Sequence, residues 1–416
     1  MRARKALKRL SDISQRGRGE ALILAAARVV SASCVLGIAV ASARQLGPSA
    51  RGEIVLVVTV TVLATELVSL GSDTSGRIMI LRRSGIGVED LLGLIAVLTL
   101  VQGAVVGVVL LVIEQVLGLL GASLIPVGVF LGMSVFQARM LTGAGFAIQR
   151  PLAVAARDTL GGLLPLVAVF FLAIDGRLSV QNVVGLTGLG YAIGSAYLWT
   201  VVLRHCNGFR LLPRNWRPLL SSGVPLLGSG LFQVIALRAD RLVVGLALTT
   251  TSLGVYSIAA TAAEAPRILL LAVTQILSNR IATGQVGRSS YLPVFCRIAV
   301  AYVACLIAVA LVVPKILVPV VGSGFSDASR YVLTLVAAEL LLGLHLMVMS
   351  ALTGLAHFRN LPAPSAAGAL VLVVGCVVLV PSGGAMTAAV VRVVAFGVMA
   401  VVSSASLYRQ LQRLGE

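Results

Sequence analysis

Acids, aromatics and histidines are all scarce in this chain: Asp and Glu together number 15 among 416 residues, aromatics make up 5%, and the three histidines are His205, His345 and His357. Histidines so far apart offer no metal-ligand spacing. The one adjacent acidic pair, Glu89-Asp90, falls on the expected inner side, and the first outer loop holds Glu53 alone. A membrane glycosyltransferase or polymerase would ordinarily place an acidic pair or a large folded loop outside. Cys34, Cys206, Cys296, Cys305 and Cys376 show neither paired nor metal-ligand spacing and read as small apolar residues. No Gly-x-x-x-x-Gly-Lys phosphate loop occurs, and the short connections between apolar runs leave no room for a nucleotide-binding domain, which argues against ATP hydrolysis. No cofactor is expected.

What is abundant is apolar surface. With 58% hydrophobic residues, 12% charged and a mean hydropathy of +1.02, the composition is that of a polytopic membrane protein. The formal charge of +18 lies mostly between the apolar runs, so no nucleic-acid partner is needed to explain it. Hydrophobic windows place twelve spans at 21–43, 54–72, 91–113, 123–146, 159–174, 180–203, 219–247, 254–279, 294–313, 331–355, 365–380 and 387–407. The expected organisation is all-α. A basic leader (1–20) precedes a six-helix lobe (21–203), a basic connector (204–218), a second six-helix lobe (219–407) and a short tail (408–416). The leader reads either as an orientation signal or as an amphipathic helix on anionic lipid, with Ala6, Leu7 and Leu10 as its apolar face. The expected outer loops hold only Arg44, Arg51, Arg177, Lys315 and Arg330 of the 33 Lys and Arg, which predicts cytoplasmic termini in the plasma membrane.

The two halves align weakly: the turn after helix one laid on the turn after helix seven pairs Leu46 with Leu248, Gly52 with Gly254 and Thr59 with Thr261. Six helices plus six, both starting on one side, fit a parallel repeat with a path between the lobes.

Ionisable groups at bilayer depth cost about 2.5–3.5 kcal/mol on insertion scales and mark a bundle interior or a water-filled path. Arg238 and Arg241 are three apart and share a helix face; Glu264 and Arg267 have the same spacing and read equally as an internal salt bridge. Arg28, about 10 Å from the inner end of helix one, either lines a cavity or snorkels. Arg139 lines the path or packs among small residues. Asp240, Glu264, Glu66 and Glu339 read as counter-ions or ion sites, and Arg392 as no more than a partner for Glu339. The functional reading puts Arg28, Arg139, Arg238, Arg241 and Arg267 toward an interlobe cavity. A guanidinium suits such a place because its planar fork binds phosphate through two hydrogen bonds and never loses its charge.

The segments Arg44-Gln-Leu-Gly-Pro-Ser-Ala-Arg-Gly-Glu53 and Arg238-Ala-Asp-Arg-Leu…Gly-Leu-Ala-Leu…Leu-Gly-Val-Tyr256 resemble the paired signatures of polysaccharide-type lipid-linked oligosaccharide flippases. These form part of the multidrug, oligosaccharidyl-lipid and polysaccharide exporter superfamily. Recognisable sequence covers about 20–85 and 222–285. Ile54 and Val55 stand where many relatives carry an aromatic, and the lipid II flippases, with two further helices, are less alike. The resemblance implies alternating-access transfer of a polyprenyl-pyrophosphate-linked glycan to the outer leaflet, beside a polysaccharide polymerase and glycosyltransferases. The alternative is an ion-coupled multidrug exporter, although lipophilic cations favour an acidic, aromatic cavity.

Overall fold

The computed structural model describes residues 2–82, 85–206, 208, 210–211, 213–282, 288–354 and 362–413. His357 and the leader's side chains lie outside what it describes. All regular structure among the described residues is helical: α1 (Arg2–Ser69), α2 (Ser72–Leu81), α3 (Val88–Leu117), α4 (Leu124–Ala147), α5 (Pro151–Ile174), α6 (Val180–Leu203), α7 (Pro213–Ala247), α8 (Thr250–Ala282), α9 (Arg288–Val321), α10 (Ala328–Gly354) and α11 (Pro362–Arg413), with one 3-10 turn at Ser323–Phe325.

Straight, the 47 residues Ile23–Ser69 would reach about 70 Å at 1.5 Å per residue, over twice the hydrocarbon thickness of a bilayer. Gly47 interrupts α1 with φ 80° and ψ −178°, and Gly384 interrupts α11 with φ 71° and ψ −170°. Both conformations are essentially closed to residues with a Cβ. Each long helix therefore supplies two spans, and with α7 counted the described residues make a multi-pass, all-α membrane protein of twelve spans in two six-helix lobes.

Most helices run beyond their hydropathy windows, and two starts and one helix depart from the expected organisation. Helix α5 starts at Pro151 rather than 159, and α7 at Pro213, inside the expected connector. Proline is favoured at the first helical position, and a polar first turn is invisible to a hydropathy average. The short α2 was not expected. What remains of the connector is pinned to α3: Arg210 N donates to Glu89 O at 3.0 Å, and Asn215 Nδ2 to Asp90 Oδ1 at 2.9 Å. Asp90 also caps α3 by accepting from Gly87 N at 3.0 Å. The adjacent acids thus serve a joint.

Helices α1–α6 form one lobe and α7–α11 the other, and they meet where α1 packs on α7 and α8 and α2 packs on α7. At one end the contact is reciprocal. A Cβ added to Gly52 would lie 1.8 Å from the Thr250 carbonyl oxygen, and one added to Gly254 would lie 1.8 Å from that of Pro48. The register that pairs Gly52 with Gly254 also pairs Pro48 with Thr250, so each half makes the same contact with the other. Ser49 Oγ and Thr250 Oγ1 are hydrogen-bonded across it at 3.1 Å. At the opposite end a Cβ on Gly223 would meet Leu70 O at 2.2 Å, and Ser75 Oγ donates to Leu219 O at 2.9 Å. Lipid supplies little hydrophobic drive for helices to associate, so such close approaches between small residues carry the packing. Leu219 of α7 is buried in a first-lobe cluster with Leu91, Phe136, Met140 and Leu198.

Candidate functional site

Four helices of the second lobe bring seven charges together. Asp240 on α7 is fully buried and accepts from Tyr256 Oη at 2.7 Å and from Arg392 Nη1 at 2.9 Å. Glu264 on α8 takes Arg241 Nη2 and, at 2.8 Å, Arg392 Nη2 on one oxygen, and Arg267 Nη2 on the other at 3.0 Å. Glu339 on α10 accepts from Arg392 Nη2 at 2.8 Å and Arg267 Nη1 at 3.1 Å, and its carbonyl receives Tyr302 Oη from α9 at 3.1 Å. Arg392, on the second arm of α11, touches all three carboxylates and lies 5.1 Å over the Phe396 ring. Its side chain is 1% exposed. Desolvating so many charges offsets most of their attraction, but removing one partner strands the others.

Arg241 and Arg267 are therefore occupied inside the lobe. Arg238 is not: it is half-buried and has no hydrogen bond or ion pair among the described residues. Its charge reaches Arg241 and also Tyr191 of the first lobe. Four guanidinium groups against three carboxylates leave one positive charge in excess, and Arg238 is the one without an ion pair among the described residues.

The first lobe adds cations of its own. Arg139 Nη2 donates to Glu66 Oε1 at 2.9 Å, and Arg139 Nε lies 3.5 Å from Asp73 Oδ2. Glu66 sits on the seam itself, since a Cβ on Gly230 of α7 would lie 2.1 Å from its Oε1. Arg28 lines a cavity of about 330 Å³ together with Asp73, Arg77 and Arg139. Arg157 pairs with Asp158 and stands 6.0 Å over Tyr191. Arg51, beside the reciprocal glycine contact, is 8% exposed with a buried Nε that has no partner among the described residues, and it feels the charge of Arg241. Arg44 instead donates to the Pro319 and Val320 carbonyls at 3.4 and 3.3 Å.

Of the residues singled out in the sequence, Asp240, Glu264, Glu339, Arg241 and Arg267 come together in one network. Arg28, Arg139 and Glu66 gather in the other lobe, and Arg238 lies beside the second-lobe network without a hydrogen bond or ion pair to it among the described residues. Sequence reasoning paired Arg392 with Glu339, and the structure contains that pair, but it missed that the same guanidinium also holds Asp240 and Glu264, 152 and 128 positions away. It also missed Arg77, on the unexpected α2, and Arg157, which the late start assigned to α5 left in a loop.

No family model and no curated protein matches the sequence. Solved structures do. A lipid II flippase, MurJ, in an inward closed conformation superposes with a TM-score of 0.76 at 12% identity, over 93% of this chain and 87% of that one. An inward-facing multidrug resistance MATE family transporter of the MOP superfamily gives 0.71 at 14% identity, over 95% and 99%. A MATE P26A mutant gives 0.63 at 17%, over 95% and 96%. The fold is that of MOP superfamily transporters and flippases.

Proposed function

We propose that the protein is a flippase that moves a polyprenyl-pyrophosphate-linked oligosaccharide from the inner to the outer leaflet for cell-surface polysaccharide synthesis. The observation that carries this reading is the sign of the charge along the seam. Arg238 and Arg51, the latter beside the glycine contact between the lobes, have no hydrogen bond or ion pair among the described residues, and the acids of the second-lobe network are already taken by Arg241, Arg267 and Arg392. A pyrophosphate carries at least two negative charges, and stripping its water in a low-dielectric passage costs several kcal/mol per charge unless cations replace the lost hydration. Guanidinium groups supply that replacement with two directed hydrogen bonds each. The fold is compatible with the reading, since one of its solved neighbours is a lipid II flippase.

The same fold serves multidrug transporters, so an ion-coupled exporter is the second reading. A lipophilic cation would need an unpaired carboxylate, and among the described residues Asp240, Glu264, Glu339 and Glu66 all face arginine.

Proteoliposomes separate the two. A labelled polyprenyl-pyrophosphate glycan should become accessible to an external glycosidase when the protein is present, and a fluorescent lipophilic cation should not move. Cation transport without glycan transfer would overturn the reading.

A further inference from the structure

The cavity in the first lobe is built by three elements. The first arm of α1 contributes Arg28, α2 contributes Asp73, Thr74 and Arg77, and α4 contributes Arg139 and Thr142, around a volume of about 330 Å³. It lies where α2 packs on α4 and shares no lining residue with the second-lobe network. The backbone of α2 is pressed onto α4, where a Cβ on Gly143 would meet Asp73 O at 2.6 Å, so the lining is held in place. The helix starts at Gly71 without a side-chain cap, and its positive end faces the same region as Asp73 and Thr74.

Three guanidinium groups line this space against the carboxylate of Asp73. Arg139 is shared with Glu66 behind it. Arg77 is half-buried and has no hydrogen bond or ion pair among the described residues. A guanidinium held in a recess without a carboxylate of its own is suited to an anion with several oxygens.

We propose that this cavity is a binding site for a pyrophosphate group, with Arg77 setting the strength of binding. The proposal deepens the flippase reading, which supplies one source of the group, the headgroup of a lipid-linked glycan. A soluble diphosphate presents the same chemistry. Asp73 opposes the ligand, because its carboxylate both repels the anion and competes for Arg139. An anion that draws Arg139 away also acts on Glu66, and through it on the seam at Gly230.

The test uses the full-length protein in nanodiscs, titrated with inorganic pyrophosphate and, separately, with a polyprenyl pyrophosphate lacking sugar. Saturable, salt-sensitive binding is expected. Arg77→Gln should weaken it about tenfold, and Asp73→Asn should strengthen it several-fold, a gain that misfolding cannot imitate. Tighter binding of the polyprenyl form identifies the headgroup as the ligand, and equal binding identifies a soluble diphosphate; the site stands in both cases. Wild-type affinity in both variants overturns it. If the variants shift binding while the wild type transfers no glycan, the site survives and the flippase reading falls. If the wild type transfers glycan and both variants bind and transfer like it, the reading survives and the site falls.

Discussion

Arg392 and Asp240, 152 positions apart, form an ion pair of 2.9 Å whose side chains are 1% and 0% exposed. The same guanidinium holds Glu264 and Glu339, so one residue of α11 ties α7, α8 and α10 into a single body.

Replacing that hub should be costly. Arg392→Met leaves buried Asp240 without a cation and takes one guanidinium each from Glu264 and Glu339, and should destabilise the protein by about 3–5 kcal/mol. Arg392→Lys should cost less, because an ammonium keeps the charge but cannot span all three. Melting in detergent measures both. A wild-type melting temperature for Arg392→Met would mean the lobe is held by packing alone.

Arg238 and Arg241 share a helix face but differ in commitment. Arg238→Gln should lower glycan transfer about tenfold, the loss of one charge-assisted contact, and leave melting unchanged. Arg241→Gln should lower both, since it removes one of the three guanidinium groups that hold the buried carboxylate of Glu264. Equal melting losses in the two would show that Arg238 is also structural.

The reciprocal glycine contact should control closure of its end of the seam. In a background without native cysteines, Ser49→Cys and Thr250→Cys should cross-link readily, since the native hydroxyls are 3.1 Å apart. Adding Gly52→Val forces a side chain into a carbonyl 1.8 Å away and should reduce cross-linking several-fold. Gly228→Ala, where an added methyl meets nothing within 4 Å, is the control and should change nothing. Undiminished cross-linking with Gly52→Val would mean that the crossing yields easily.

Orientation is open to labelling. With cytoplasmic termini, Ser323→Cys should react with an impermeant maleimide from outside and Cys206 only from within. Cys206 should also react slowly at neutral pH and faster as pH rises beyond the usual thiol range. Burial pushes its thiol up, and the charge of Glu89 adds to this. The reverse accessibility would invert the protein in the membrane.

The spans were legible because twenty apolar residues in a row have few other uses, and the repeat because the Gly52 and Gly254 turns keep the same offset. What stayed hidden was partnership. Glu264 and Arg267, three apart, announce a pair, and the structure contains it at 3.0 Å. Arg392 has no acid within a helical turn, so nothing local marks it as the hub. Arg77 was lost with α2, a helix too short and too polar to register in a window sized for a bilayer.

The second-lobe network also decides what the membrane voltage can grip. Its six paired charges travel together whenever the lobe moves, and opposite signs carried side by side do no net electrical work. Arg238 alone remains as a gating charge, worth at most about 2.3 kcal/mol per 100 mV for a full crossing of the field. The network would register on an electrometer as one elementary charge, although it holds seven.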